Sequence, residues 1–329
     1  MAPNHKVHDA SSQELVQPQY SIFTRLWYSA QIWGVKAAIL LVFRTVRFFQ
    51  PTPPELRPTK LLAYPCRPKL PTRIFIPKSK QVDSGPLPLY LDLHGGGHSL
   101  MFAEFDDEFC ATLANRFNII VVSIEYSLAP SSGFPALTND VVAIAQATID
   151  NPDLNIDKSR VVLGGFSAGG NLTLSAAQYP ELRERLKGIV AWYPPTDYTL
   201  SPKERQASRP YRNSKDTDDL KDFGPVFEWK EDLPKWIYII GAEYDMLERE
   251  ARDTASELAG LSEQEREDEK YGFERDTLKW TLVRGVRHGF THDMKDGRPA
   301  EEEAVRKLRA EEMMEMVGEW LFKGPFAKV

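Results

Sequence analysis

The feature that most restricts how this chain can fold is a serine held between glycines in the segment RVVLGGFSAGGNL, residues 160–172. The segment begins with apolar, β-branched residues, as a buried strand does, and it continues after the glycines with a helical composition. Its centre, Gly165-Phe166-Ser167-Ala168-Gly169, fits the pattern G-x-S-x-G, in which a serine occupies a sharp strand-to-helix turn. Small neighbours are needed because a Cβ atom beside such a turn would clash. The sequence therefore predicts that the Ser167 hydroxyl stands free at the end of a strand.

Strand-like and helix-like segments alternate over most of the chain, which predicts an α/β fold with a mostly parallel sheet flanked by helices on both faces. The strands are predicted at residues 72–76, 87–93, 118–124, 160–163, 188–192, 236–240 and 278–283. The helices are predicted at residues 104–116, 137–150, 170–178, 247–260 and 300–322. The charged run at 261–276 is expected to be a solvated loop or a helix extension.

Three regions are expected along the chain. Residues 1–50 form a leader and a cap helix, and residues 51–71 form a proline-rich connector that cannot be a regular helix. Residues 72–329 form the α/β domain. Within that domain, residues 194–234 are long for a simple connection, so we expect them to fold over the sheet as a lid or cap insertion.

The charge balance argues against a nucleic-acid partner, because the chain has a net charge of −6 and such proteins are usually basic. The charge is uneven, with 12 Lys and Arg against 3 Asp and Glu in residues 1–80. Cys66 and Cys110 have no metal-type spacing and favour a reducing compartment. Residues 1–19 lack the apolar core of a secretory signal, and the chain end matches no retention tail. A cytoplasmic location is the expectation.

An apolar segment at residues 26–43 is close to membrane-spanning length but has Lys36 near its middle. A lysine at a bilayer centre costs about 2.5–3.5 kcal/mol. Wound as a helix, the segment gathers its basic residues on one face, which predicts an amphipathic helix instead of a span. We expect its apolar side to pack on the protein or line a pocket. Peripheral contact with a membrane, and packing on a partner subunit as in a homodimer, remain open.

A second glycine-rich motif follows the strand at 87–93 and reads His94-Gly95-Gly96-Gly97. Successive glycines leave backbone N–H groups uncovered by side chains. Together with the N–H of Ala168, such donors can stabilise the oxygen of a tetrahedral intermediate. A phosphate-binding loop is the alternative, but the patterns typical of such loops are absent. An oxyanion hole is preferred.

A general base for Ser167 is expected among the six histidines. His288 follows the last predicted strand and lies downstream of the serine, in the chain order that the G-x-S-x-G class requires. His292 is the fallback, and His94 is expected to brace the glycine loop instead.

The acid that orients the base is expected after the preceding strand, where Asp245 stands. Glu243 and Asp197 are competitors. Asp245 could also simply cap the next helix.

These motifs resemble the hormone-sensitive-lipase-like branch of the α/β-hydrolases. The residues that carry the resemblance, over about residues 70 to 322, are the segments 94–97 (HGGG), 126–130 (YSLAP), 165–170 (GFSAGG), 242–245 (AEYD) and 288–290 (HGF). Several motifs in the same order are far more specific than any one of them. The amino-acid sequence of residues 64–68 and 72–77 resembles that of fungal members.

The resemblance implies an α/β-hydrolase fold and a serine carboxylesterase that needs no metal and no organic cofactor. Ser167 would attack, His288 would act as general base and then acid, and Asp245 would orient it. The oxyanion donors would be the N–H groups of Gly96, Gly97 and Ala168. His94, Gly95, Gly165 and Gly169 would support the motifs, and the candidate pocket residues are Trp27, Tyr28, Trp33, His98 and Phe166.

Two departures concern the pocket, because Phe166 and His98 stand where this branch usually has other residues. They leave open the substrate and an alternative use of the same site for acyl transfer, lactonisation or cyclisation in a secondary-metabolite pathway. A non-catalytic small-molecule binder is a third, weaker hypothesis, because all three triad residues are present.

Overall fold

A computed structural model describes residues 21–78, 85–197, 232–293 and 297–328. Nine strands form one sheet in the order β1-β2-β4-β3-β5-β6-β7-β9-β8. The strands are β1 Lys60–Leu62, β2 Thr72–Phe75, β3 Leu87–Leu93, β4 Ile120–Ile124, β5 Ile156–Phe166, β6 Gly188–Trp192, β7 Trp236–Tyr244, β8 Gly272–Arg275 and β9 Leu278–Arg287. The six strands from β4 to β9 in this order pair in parallel, whereas β1, β2 and β8 pair antiparallel at the two edges.

Helices connect the parallel strands and cover the sheet. Those in the described residues are α1 Ile22–Phe49, α2 Asp107–Phe117, α3 Ala136–Ile149, α4 Ala168–Ala177, α5 Pro180–Arg183, α6 Glu248–Leu258, α7 Glu263–Asp268 and α8 Ala300–Lys323. All seven predicted strands and all five predicted helices of the α/β part are present, with bounds that shift by a few residues. Most of the expected lid insertion, residues 198–231, lies outside the described residues.

Two short polar segments contain elements that were not predicted. The connector contains one turn of 3₁₀-helix, Pro54–Leu56, and the edge strand β1. The charged run forms α7, which begins with a capping box between Ser262 and Glu265, and then the edge strand β8. Edge strands are short and carry charged side chains, so neither shows the alternation that a half-buried strand needs.

The sheet separates two apolar cores, and successive residues of its central strands alternate between them. Leu89, Leu91 and Leu163 belong to one core, whereas Tyr90 and Val162 belong to the other. Because both faces are covered, strands β4 and β6 are buried at every position. The central strands are therefore packed on both faces, and their carboxyl ends lie together at one edge of the sheet.

Helix α1 contacts the domain through a stripe that differs from the expected one. No residue of α1 is fully buried, and its half-buried stripe includes Tyr28, Lys36 and Phe43. The Lys36 Nζ atom donates a hydrogen bond to the Ala129 carbonyl at 3.1 Å. The Phe43 ring lies against two rings of the 102–105 segment at 5.0 and 4.7 Å between centroids.

The expectation that the apolar side of α1 packs on the protein is therefore wrong for most of that side. Phe23, Trp27 and Leu41 are 80%, 64% and 69% exposed, respectively. Two basic side chains meet acceptors on the domain instead: Lys36 at the Ala129 carbonyl, and Arg44, which pairs with Glu104 at 3.3 Å. Within the described part of the chain, no helix combines the length and the apolar character needed to cross a membrane.

The contribution of core packing in the central sheet to stability is tested by truncating one core leucine. Leu163→Ala removes a fully buried side chain from β5, and we expect the free energy of unfolding to fall by about 2–5 kcal/mol because a cavity remains. The matched control is Leu61→Ala in β1, where the side chain is 58% exposed and we expect a change of about 0.5 kcal/mol or less. Urea unfolding followed by tryptophan fluorescence measures both. Equal losses in the two variants would contradict this account of the core.

Candidate active site

Ser167 lies at the turn between β5 and α4 with a backbone conformation that non-glycine residues rarely adopt, φ 54° and ψ −118°. Its amide donates a hydrogen bond to the Trp192 carbonyl at 2.8 Å. The helix can begin at once because residue 169 is a glycine: a Cβ atom there would lie 2.1 Å from the Leu93 carbonyl oxygen. A Cβ atom at Gly165 would likewise lie 2.5 Å from the Gly169 carbonyl oxygen. The crowded turn thus fixes the direction of the hydroxyl.

A continuous chain of hydrogen bonds joins Ser167, His288 and Asp245. The His288 Nε2 atom lies 2.9 Å from Ser167 Oγ, and its Nδ1 atom lies 2.6 Å from Asp245 Oδ2. The other oxygen of Asp245 accepts a hydrogen bond from the Leu247 amide at 3.0 Å, so the carboxylate is held at both ends. In this arrangement the imidazole can take the hydroxyl proton at Nε2 while Nδ1 keeps its own.

The surroundings of His288 stabilise its charged form. Burial disfavours the imidazolium ion, but the negative charge of Asp245 and the hydrogen bond to it outweigh burial and raise the pKa of His288 above its ordinary value. The imidazole is 39% exposed, whereas the Asp245 side chain is 1% exposed. The base is therefore accessible and its partner is shielded from water.

The glycine loop after β3 lies beside this chain. A Cβ atom built on Gly95 would be 3.4 Å from Ser167 Cβ, which places the loop against the serine. Gly96 and Gly97 have φ values of +110° and +59°, which favour glycine. A Cβ atom on Gly96 would also lie 2.6 Å from Met101 Cβ. Ala168 is buried at the first position of α4, where backbone N–H groups favour nearby negative charge.

The buried side chain of His94 supports the glycine loop. The fully buried ring stacks on Tyr126 at 4.2 Å, donates from Nε2 to Glu125 at 3.1 Å, and lies 2.8 Å through Nδ1 from the Gly95 carbonyl. Burial disfavours a charged ring here, but Glu125 outweighs it and raises the pKa of His94. The other oxygen of Glu125 accepts the Ala103 amide at 3.0 Å. Sequence reasoning missed Glu125, although a carboxylate directly after the buried strand β4 is a usable signal.

The alternative site residues lie elsewhere. The His292 Nε2 atom contacts Asp106 at 2.9 Å, not Ser167. Glu243 accepts the Gly285 amide at 2.7 Å. Hydrogen-bond geometry therefore joins Asp245, and not Glu243, to His288.

Two of the candidate pocket residues are buried, and their expected role is revised. Phe166 is 1% exposed, with its ring 4.8 Å from that of Phe109 and 5.5 Å from that of Trp192. His98 is 3% exposed and has φ 58°, and burial followed by the charge of His94 lowers the pKa of His98 to about 4. Phe166 packs among other buried rings beside the serine, and neither side chain is exposed enough to line an open pocket.

The three aromatic candidates lie on α1. Trp27 and Trp33 are 64% and 52% exposed, and Tyr28 is half-buried. Among the described residues, no group of three or more His, Cys, Asp or Glu side chains is placed to hold a metal ion.

Comparison with known sequences identifies the family. The family model for the alpha/beta hydrolase fold matches residues 90–272, more than half of the chain, so the chain belongs to this family. The fold predicted from the sequence is confirmed by this match and by the similar solved structures.

Three of the similar proteins have names that describe an esterase or an ester hydrolase. The chain is 37% identical over 111 residues to neutral cholesterol ester hydrolase 1 of Bos taurus, covering 31% of this chain and 27% of the relative. It is 34% identical over 162 residues to carboxylesterase NlhH of Mycobacterium tuberculosis, covering 46% and 49%, respectively. A versiconal hemiacetal acetate esterase of Dothistroma septosporum is 30% identical over 132 residues, covering 39% and 40%. Each match spans less than half of the relative, and together they confirm the hormone-sensitive-lipase-like resemblance.

Solved structures agree on the architecture. A hyperthermophilic esterase from the archaeon Pyrobaculum calidifontis is 26% identical with a TM-score of 0.62, covering 90% of this chain and 98% of that one. Carboxyl esterase 2 of the fungus Tuber melanosporum is 21% identical with a TM-score of 0.64, covering 83% and 87%. The second likeness concerns the fold alone.

The electrostatic coupling at His288 is tested by removing the charge of its partner. In Asp245→Asn, we expect the pKa of His288 to fall below its wild-type value, because burial then acts without the opposing carboxylate. Imidazole ¹⁵N NMR across a pH series measures it, with the spectrum of His288→Gln for assignment. The matched control is Glu243→Gln, which alters a neighbouring carboxylate. A wild-type titration in Asp245→Asn would contradict the coupling.

Proposed function

We propose that this protein hydrolyses small-molecule carboxylic esters through an acyl-enzyme intermediate, without a metal or organic cofactor. The observation that carries the proposal is the continuous chain Ser167–His288–Asp245, with contacts of 2.9 and 2.6 Å. The names of the relatives support the same reaction class.

In the proposed reaction, Ser167 Oγ attacks the ester carbonyl carbon while its proton passes to His288 Nε2. The negative oxygen of the tetrahedral intermediate accepts hydrogen bonds from the N–H groups of Gly96, Gly97 and Ala168. When the intermediate collapses, the imidazolium gives its proton to the leaving alcohol. Water then attacks the acyl-enzyme by the same sequence, which releases the acid and restores Ser167.

The alternatives named from the sequence keep the same residues. Acyl transfer, lactonisation or cyclisation would replace water by another nucleophile in the second step. Their motivation was an unusual pocket built by Phe166 and His98, and the burial of both side chains weakens it. A non-catalytic binder would not need the aligned hydrogen bonds of the triad.

The nucleophile is tested with short p-nitrophenyl esters. Ser167→Ala should lower kcat by at least about 10⁴-fold, because the attacking atom is lost while the oxyanion donors remain. It should also abolish covalent labelling by a fluorophosphonate. Ser159→Ala, at an exposed position of β5, is the matched control and should keep wild-type rates.

Wild-type turnover by Ser167→Ala would end the proposal. Labelling of Ser167 without turnover of simple esters would instead favour acyl transfer or cyclisation, and tight ligand binding without labelling would favour the binder.

The division of the chain into a leader with a cap helix (residues 1–50), a connector (51–71) and an α/β domain with an insertion at 194–234 is also a proposal.

We propose in addition that α1 contacts a membrane surface from a cytoplasmic location. Its exposed aromatic and aliphatic side chains and its lack of acidic residues support a lipid surface with anionic headgroups. Cys66 and Cys110 are both unpaired, which suits a reducing compartment.

The membrane contact is tested by sedimentation with vesicles that contain phosphatidylserine. The wild type should co-sediment, and Phe23→Ser combined with Leu41→Ser should co-sediment less at unchanged esterase rate. If light scattering shows that the double variant loses a homodimer while its co-sedimentation with vesicles is unchanged, the exposed face of α1 belongs to a partner subunit instead.

A further inference from the structure

A third histidine–carboxylate pair, besides those of His288 and His94, lies next to the candidate active site and has no part in the proposed reaction. His292 follows His288 on the same loop, and its Nε2 atom is 2.9 Å from Asp106 Oδ1. Asp106 is 2% exposed and directly precedes α2. The pair therefore connects the loop that carries His288 to the segment that follows the glycine loop.

The direction of the hydrogen bonds around His292 can be assigned. Its Nε2 atom faces a carboxylate oxygen, so it carries a proton and donates to Asp106. Its Nδ1 atom lies 2.8 Å from Thr291 Oγ1, which is also hydrogen-bonded to the Tyr193 hydroxyl. Burial raises the pKa of Tyr193 well above its ordinary value, so the phenol keeps its proton and donates to Thr291. Donors thus run from Tyr193 through Thr291 and His292 to Asp106.

Another buried acid, Asp92, lies near Asp106. Asp92, in β3, is fully buried and interacts electrostatically with Asp106. Its Oδ2 atom accepts from Ser123 at 3.0 Å and from Cys110 at 3.4 Å. Burial first, and then the charge of Asp106, raises the pKa of Asp92 well above its ordinary value.

The cluster touches both sides of the candidate triad. The His292 ring meets the edge of the Phe166 ring at 4.7 Å between centroids, and Phe166 directly precedes Ser167. The Tyr193 ring meets the His288 ring at 4.8 Å. Asp92 lies two positions before His94, at the start of the glycine loop. The buried carboxylate of Asp106 therefore accepts a hydrogen bond from the His288 loop and interacts electrostatically with Asp92 of β3.

We propose that Asp106 and His292 are positioning residues that hold the loop of His288 in register with Ser167 and the glycine loop. This inference rests on the proposed esterase function. Misplacing a catalytic group by about 1 Å can lower the rate by about 10²-fold, whereas substrate binding need not change. The pair should thus act on kcat more than on KM.

The test compares three replacements of His292 in the full chain with p-nitrophenyl acetate as substrate. The amide of Gln reaches the place of Nε2 and can donate to Asp106, whereas the shorter amide of Asn and the methyl of Ala cannot. We expect His292→Ala and His292→Asn to lower kcat by about 10–10²-fold with KM within about threefold. His292→Gln should return kcat to within about fivefold of the wild type.

Controls separate the possible failures. Melting curves show which variants fold, and if His292→Ala does not fold, the comparison of His292→Asn with His292→Gln decides. Glu108→Gln changes an exposed acid on α2 and should leave the rate unchanged. Two results would overturn the positioning role while leaving the proposed function intact. In one, Ser167→Ala is inactive but all His292 variants turn over like the wild type. In the other, His292→Gln is as slow as His292→Asn. If Ser167→Ala turns over like the wild type, the proposed function fails as well.

Discussion

The strained backbone of Ser167 is the constraint on which the rest of the site depends. A non-glycine residue with a positive φ at a tight turn costs about 1–3 kcal/mol, so its surroundings must hold it. The Ser167 amide bonds to the Trp192 carbonyl of β6, and Gly169 allows α4 to touch the Leu93 carbonyl of β3. Phe166 anchors the turn in a cluster of buried rings. The strain is thus offset by the two strands beside β5.

The register of the sheet extends this constraint to residues far apart in the chain. Tyr244 of β7 pairs with Arg287 of β9, so the next residues of the two strands, Asp245 and His288, emerge side by side. Leu93 of β3 pairs with Gly165 of β5, which puts the glycine loop next to the serine turn. Parallel pairing brings all four carboxyl ends to one edge of the sheet. Short loops then suffice to bring the functional groups together.

Much of this arrangement could be predicted because it depends on local patterns. A buried parallel strand is an apolar run, and a turn without space for Cβ atoms requires glycine, so both features are visible in the residues around Ser167. The edge strands β1 and β8 could not be predicted, since their short, charged segments are stabilised by pairing with a neighbour. The orientation of α1 was also missed. Lys36 faces the domain and donates a hydrogen bond to the Ala129 carbonyl, whereas most of the apolar side of the helix is exposed.

The buried polar contacts around the site were the hardest to predict, and it was chain order, not these contacts, that put His288 first among the six histidines. Three of them pair with carboxylates in the same way: His94 with Glu125, His292 with Asp106, and His288 with Asp245. The imidazoles of these pairs are 0%, 15% and 39% exposed, respectively. The three histidine–carboxylate pairs therefore share the same chemistry, and they differ in where they lie in the fold. Of the three, only His288 combines an exposed ring with a contact to the serine hydroxyl, because its loop leaves β9 directly above the turn. The other two pairs lie deeper, where a histidine and a carboxylate can connect segments but cannot meet a substrate.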